Sequence, residues 1–240
     1  MNIFKKLVAG FVLLAVAATC SASSWSGSGF FVNSEGYIVT AGHVVDSPYP
    51  IYMRILYKGK FYEAHTVAYD AYHDWAIIKV NLPVRDFFYI DTDQKIGTQV
   101  AIQGWPLGIA YTTTTGVIQN GYISSVDGVH YTPHWQFAID GRACPGNSGG
   151  PVMNRQDYAI GILVSGLTSA RWNPCSSNVF ATEIKEIFRA AELHGVTLHM
   201  ATWFDKQIKP LYSSKELHDK NKDAVVFIIV TEKIPTPEAA

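Results

Sequence analysis

Ser148 lies in the run Gly141-Arg142-Ala143-Cys144-Pro145-Gly146-Asn147-Ser148-Gly149-Gly150-Pro151-Val152. Glycines on both sides open backbone conformations that are closed to other residues and let another chain approach the main chain closely. Such a loop can hold the Ser148 hydroxyl proud of the surface and aim the N–H groups of Gly146 and Ser148 at one point. A pair of donors so placed stabilises a developing oxyanion. A serine hydroxyl is a weak nucleophile until a base takes its proton. The chain must therefore also supply a histidine and a carboxylate in settings that can hold them.

His43 follows a strand-like stretch, in Thr40-Ala41-Gly42-His43-Val44-Val45. Taken alone it reads as a packed histidine at a strand end. Asp74 opens the apolar run Trp75-Ala76-Ile77-Ile78-Lys79-Val80, where an aspartate can equally be a turn or a strand cap. Asp70, in a Tyr-Asp-Ala-Tyr loop, competes with it. A carboxylate that orients a histidine has to be held rigidly, and Asp74, joined directly to a strand, suits that better. The order His, Asp, Ser, each at a strand boundary, carries more weight than any one of the three.

The elements that must position these residues are short strands. Residues 29–32, the turn Asn33-Ser34-Glu35-Gly36 and residues 37–40 read as strand, turn, strand. Residues 51–57 and 61–68 around Lys58-Gly59-Lys60 read as a hairpin. A second series begins near Gln99 and runs through residues 100–106, 112–118, 121–126, 135–139, 151–153 and 159–164 to a last strand at 179–182. Residues 183–194 carry helical spacing (Ile184, Ile187, Phe188, Ala191), with Gly195 as a stop signal. Close-spaced strands of this kind predict small antiparallel barrels. Residues 197–240 are expected to be a tail that packs one strand or helix on the barrels, with residues 224–230 as a lone apolar β-type run.

The 240 residues are 48% hydrophobic and 16% charged, enough for one large or two small cores, and a formal net charge of −1 gives no sign of a nucleic-acid partner. Lys5 and Lys6, then an apolar stretch from Leu7 to Ala18, then small residues, read as a signal peptide over residues 1–22. The alternative is a lipidated Cys20, although Ala17-Ala18-Thr19 is a poor lipoprotein signal. Either reading places the mature chain outside the cytoplasm, secreted or periplasmic. No later apolar run reaches the ~20 residues of a membrane-crossing helix. Removing the leader leaves Cys144 and Cys175, and an even pair in an exported chain predicts a disulfide. No cofactor is expected and no metal: two cysteines at this spacing lack partners, and Pro133 argues against a helix that would pair His130 with His134.

The blocks Gly27-Ser28-Gly29-Phe30-Phe31, Gly36-Tyr37-Ile38-Val39-Thr40-Ala41-Gly42-His43-Val44-Val45, Asp74-Trp75-Ala76-Ile77-Ile78-Lys79-Val80 and Gly146-Asn147-Ser148-Gly149-Gly150-Pro151 together resemble the trypsin-like (chymotrypsin-fold) serine peptidases, most closely the bacterial HtrA/DegP type. The resemblance spans roughly residues 27–188. It implies an all-β fold of two antiparallel six-stranded barrels with a C-terminal helix and short tail, the first barrel over residues 23–98 and the second, with the helix, over 99–196. It implies endopeptidase activity on protein or peptide substrates through an acyl-enzyme. Ser148 is then the nucleophile, His43 the base, Asp74 the group that orients it, and Gly146 and Ser148 the oxyanion donors. Leu163-Val164-Ser165-Gly166 resembles the strand that pairs with substrate and, with Ala143, lines the pocket for the P1 side chain, and the family pattern also pairs Cys144 with Cys175.

Departures from the family are informative. Asn147 stands where many members carry the aspartate that a new N-terminal amine engages, so no such zymogen switch is expected. The chain also ends too soon for the PDZ domain that HtrA proteins carry. Arg142 matches the base of the P1 pocket, where it could pair with an acidic side chain. Alternatively it turns outward or pairs with Asp140, and the cost of burying an unpaired arginine favours this second arrangement.

Two other readings compete. Gly146-x-Ser148-x-Gly150 also fits the nucleophile elbow of α/β-hydrolases, but that fold needs a helix after the serine and Asp and His later in the chain, whereas Pro151 and a strand follow here. The other is a catalytically weak, peptide-binding or chaperone-like member of the same fold.

Overall fold

The computed structural model describes residues 23–119, 122–125, 128–131, 135–166 and 175–233. The expected signal peptide with Cys20, His134, and the last seven residues lie outside them.

The first barrel is built from β1 (Ser24–Phe31), β2 (Tyr37–Thr40), β3 (Ile51–Tyr57), β4 (Lys60–Asp70), β5 (Trp75–Val80) and a strand from the far end of the chain, β15 (Val225–Glu232). Its closed order is β1-β15-β3-β4-β5-β2. Local chemistry sets its turns. Between β1 and β2, the Asn33 side-chain oxygen accepts the N–H groups of Glu35 and Tyr37 at 3.0 and 3.3 Å. Gly36 completes that turn at φ +89°, where an added Cβ would lie 2.5 Å from the Val80 carbonyl. Between β3 and β4, Lys58 and Gly59 both take positive φ (48° and 75°), as a two-residue hairpin whose twist matches its strands requires. On these strands Phe30, Phe31, Ile38, Ile55, Ile77 and Ile228 are fully buried, Phe31 and Ile38 on one face of the sheet and Phe30 and Ile77 on the other.

The second barrel contains β7 (Gln99–Gly104), β8 (Thr112–Gln119), β11 (Gln136–Ala143), β12 (Pro151–Asn154), β13 (Tyr158–Gly166) and β14 (Ser176–Glu183). The sheet runs β12-β7-β8-β11-β14-β13 and closes through β12–β13 pairing. The two-residue strand β6 (Tyr89–Ile90) adds to β13 in parallel, and β9 (Tyr122–Ser125) pairs with β10 (Gly128–Tyr131) as a separate hairpin. Ile102, Ile139, Val152, Ile160, Leu163 and Val179 form its core.

Helices are few. α1 (Gly42–Val45) is a single turn after β2, and α2 (Lys185–Leu193) is the helix expected after the last strand of the second barrel. It buries Ile187 and Ala191 and ends at Gly195, φ +68°, with the Val196 N–H returning to the Ala191 carbonyl at 2.8 Å. α3 (Trp203–Ile208) and α4 (Ser214–Asn221) follow in the polar segment. Each opens on a reciprocal capping box, Thr202 with Asp205 and Ser213 with Glu216. From α4 the chain enters β15, which pairs antiparallel with β1 on one side and β3 on the other. The first barrel therefore contains both ends of the described chain.

Candidate active site

His43 sits in α1, which the chain enters from β2 through the small residues Ala41 and Gly42. An added Cβ at Gly42 would lie 3.0 Å from the Trp75 N and 3.1 Å from Asp74 Oδ1, so glycine lets the histidine backbone come this near the β4–β5 turn without pushing it aside. His43 Nδ1 lies 2.9 Å from Asp74 Oδ2 and 3.1 Å from Oδ1. The His43 N–H donates to Asp74 Oδ1 at 2.8 Å. The carboxylate thus grips the histidine by ring and backbone together. With Nδ1 engaged, Nε2 is the nitrogen left to meet another group. The side chains are 47% (His43) and 25% (Asp74) exposed, so the pair sits at a cleft and not in the core.

Asp74 itself adopts φ +57°, a left-handed conformation that aspartate tolerates better than most side chains. The preceding turn holds it there. Asp70 Oδ1 accepts the N–H groups of Tyr72 and His73 at 2.8 and 3.0 Å, and Asp70 Oδ2 lies 2.7 Å from His73 Nδ1. Partial burial alone would raise the Asp70 carboxyl, but the hydrogen bonds from the His73 ring and from these two N–H groups outweigh it and hold the carboxyl below its ordinary value. Asp70, the competing carboxylate, is thus committed to His73, and Asp74 is the one on His43. From the second barrel, Thr182 Oγ1 donates to the His73 carbonyl at 2.8 Å.

Ser148 lies in the tight loop between β11 and β12. The Asn147 N–H donates to the Cys144 carbonyl at 3.0 Å, and the Gly150 N–H to the Asn147 carbonyl at 2.9 Å. Gly149, φ +86°, backs against the first barrel, where an added Cβ would lie 2.2 Å from both the Ser28 carbonyl and Thr40 Oγ1. Thr40 leads directly to Ala41-Gly42-His43, so this contact brings the serine loop to the chain that carries the histidine. The Ser148 carbonyl accepts the Ser28 N–H at 2.7 Å. Gly146 takes φ +94°. Among the described residues, no protein acceptor takes the N–H of Gly146 or of Ser148.

Cys144 and Cys175 form a disulfide, joining the serine loop to the start of β14. Arg142 is exposed on β11, on the same side as exposed Asp140, and among the described residues it has no ion-pair partner. Ala143 and Val164 are buried, and Gly166 is exposed at the end of β13. β13 is tied to the serine loop by the Gly149 N–H to the Leu163 carbonyl (2.7 Å) and the Leu163 N–H to the Gly150 carbonyl (3.0 Å). Of Ser165 only the backbone is described. Among the described residues, no group of three His, Cys, Asp or Glu side chains is placed to hold a metal ion, and no helix is long and apolar enough to cross a membrane.

The sequence assigns Ser28, Thr182 and the turn at Trp105-Pro106-Leu107-Gly108 no role at the site. Their only signal was weak: a serine between two glycines, a threonine in a strand, and a Pro-x-Gly turn. Each acts through backbone groups of distant residues, which a local pattern does not display.

Two closed barrels, with a His–Asp pair on one and a glycine-flanked serine loop on the other, define the class of trypsin-like peptidases. The profile of the trypsin-like peptidase domain matches residues 27–162, and the chain belongs to that family. Its relatives include probable periplasmic serine endoproteases, DegP-like, from Brucella suis biovar 1 (strain 1330), 33% identical over 57% of this chain and 26% of that protein, and from Chlamydia pneumoniae, 36% identical over 58% and 29%. The protein of the same name from Bartonella henselae (strain ATCC 49882 / DSM 28221 / CCUG 30454 / Houston 1) is 31% identical over 80% of this chain and 38% of its own. The chain thus spans well under half the length of these relatives. Among solved structures, the active form of the Rv3671c protease from M. tuberculosis shares the fold, with a TM-score of 0.58 at 21% identity over 78% of this chain and 86% of that one.

Proposed function

We propose that this protein is a serine endopeptidase acting outside the cytoplasm, with Ser148 as nucleophile, His43 as base and Asp74 as the group that orients the base. The observation that carries the proposal is the double hold of Asp74 on His43, through Nδ1 and through the backbone N–H. This hold favours the tautomer with a proton on Nδ1 and leaves Nε2 to accept the serine proton. His43 and Asp74 come from one barrel and Ser148 from the other, so the reaction takes place in the groove between them. After attack on a peptide carbonyl, the N–H groups of Gly146 and Ser148 stabilise the oxyanion, His43 returns the proton to the leaving amine, and water resolves the acyl-enzyme by the same path. Metal and cofactor are not needed for these steps. A location outside the cytoplasm is supported by the leader-like start, by the disulfide and by relatives named periplasmic.

Peptide-library digestion by the mature chain tests this reading. Cleavage of internal peptide bonds that disappears in Ser148→Ala is expected. A folded wild-type chain that binds peptides but cleaves none would replace the peptidase with a peptide-holding member of the same fold. The same digest reads P1 choice. Exposed Arg142 predicts no strong preference for Glu or Asp, and a marked gain for acidic P1 would bring the arginine back into the pocket.

A further inference from the structure

We propose that Ser28 and the turn Trp105-Pro106-Leu107-Gly108 are positioning elements that hold the loop carrying the oxyanion donors, Pro145 to Ser148, in the competent orientation, a role that rests on the peptidase reading above. In a trans peptide the C=O and the following N–H point in opposite directions, so anchoring one aims the other. The Pro145 carbonyl accepts the Leu107 N–H at 2.7 Å, which turns the N–H of Gly146 away from the turn and toward the site. One peptide further on, the Gly146 carbonyl accepts the Ser28 hydroxyl at 2.7 Å. The Ser28 oxygen in turn accepts the Trp105 N–H at 2.9 Å. The Asn147 carbonyl is anchored by the Gly150 N–H at 2.9 Å, which fixes the peptide that carries the Ser148 N–H.

Ser28 is 0% exposed and is fixed on every polar side. Its N–H donates to the Ser148 carbonyl at 2.7 Å and its carbonyl accepts Thr40 Oγ1 at 2.7 Å. The turn is just as closely fitted. Leu107 sits at φ +55°, unusual for a leucine, and this conformation is what presents its N–H to Pro145. An added Cβ on Gly146 would lie 2.5 Å from the Trp105 carbonyl and 2.9 Å from the Leu107 N. Beneath the turn lies β15: an added Cβ on Gly108 would meet the Phe227 ring at 2.9 Å, and the Trp105 and Phe227 ring centroids are 6.0 Å apart. The orientation of the hole is therefore built from strand β1, this turn and the C-terminal strand, all covalently present in the folded chain.

The test uses the mature chain and a peptide substrate whose cleavage depends on Ser148. Ser28→Ala and Ser28→Cys should lose roughly 10- to 100-fold in kcat with KM changed by less than about threefold, because the donors act in the transition state. Affinity for a peptide boronate, whose tetrahedral adduct places an oxygen in the hole, should fall in step with kcat, while affinity for the product peptide stays. Leu107 is 53% exposed and gives a second route where folding is not at stake. Leu107→Val, which resists positive φ, should lose about tenfold in kcat, and Leu107→Asn, which suits it, should restore the rate. Wild-type kcat in both Ser28→Ala and Leu107→Val overturns the clamp and leaves the peptidase reading standing. If the wild-type chain neither cleaves nor reacts at Ser148, the peptidase reading falls. The clamp is then judged by amide hydrogen exchange: faster exchange of the Trp105 and Leu107 N–H groups in Ser28→Ala supports it, and unchanged exchange overturns it.

Discussion

Asp74 has two jobs at one side chain. It fixes the His43 ring and, through the His43 N–H, the turn that carries it. Asp74→Asn keeps the shape but can offer an N–H to Nδ1, which selects the wrong tautomer. It should therefore lower kcat by about 10⁴ while leaving the fold and KM nearly unchanged. Steady-state kinetics beside a thermal melt checks this, and a loss confined to KM would place the aspartate in substrate binding instead. None of the three candidates stands out alone in the sequence; their order, each at a strand boundary, singles them out, and the structure places Asp74 on His43. The choice of Asp74 over Asp70 was argued from its attachment to β5. The structure adds a reason that the sequence does not contain: Asp70 is spent on capping its own turn and on His73. An outward Arg142 is favoured in the sequence by the cost of burying an unpaired arginine; the structure adds the alternation of β11, which exposes Asp140 and Arg142 and buries Gly141 and Ala143.

Among the elements, the serine loop depends on the strands around it more than on its own residues. Gly149 leaves no room for a side chain against Ser28 and Thr40. Gly149→Ala should therefore either shift the loop with loss of turnover or destabilise the chain by more than about 3 kcal/mol, since backbone strain and overpacking act together at a positive φ. Denaturant unfolding together with a peptide assay separates the two, and a variant normal in both would contradict the packing described here. The Cys144–Cys175 bond closes the loop from the other side. Reduction should lower stability by about 2–4 kcal/mol and reduce turnover as the loop gains freedom, readable as a fall in Tm with and without reductant. Unchanged Tm and rate on complete reduction would show that the hydrogen bonds to Ser28 and Leu163 suffice. The cysteine pair was legible from export and parity. The dependence on Ser28 was not, because a serine between glycines shows no role until its partners Thr40, Trp105, Gly146 and Ser148 are folded around it.

For the whole molecule, the main surprise is the place of the last strand. The run from Val225 was legible as β structure from its unbroken apolar residues, but no local pattern names the partner of a strand. That partner is set by which barrel lacks a stave, and here β1 and β3 leave a gap that β15 fills. Removing residues 224–240 would strip both neighbours of a hydrogen-bonding partner and expose the first core, where Ile228 and Val230 are fully buried. The truncated chain should lose its cooperative unfolding transition and, with it, Ser148-dependent activity. Circular dichroism checks the first and peptide cleavage the second, and a folded, active truncation would show that β15 is dispensable. The two barrels could be anticipated from four short blocks of sequence; the closure of the first barrel by the far end of the chain could not.

The proposed chemistry has Ser148 made nucleophilic by His43 in the groove between the barrels. Site-mapped labelling with a fluorophosphonate, followed across pH, tests it most directly. A single adduct on Ser148 is expected, formed faster as pH rises because only a neutral imidazole can take the serine proton, and lost in both Ser148→Ala and His43→Ala. A folded wild-type chain that acquires no adduct at Ser148, or that labels at the same rate from about pH 5 to 8 and without His43, would contradict it.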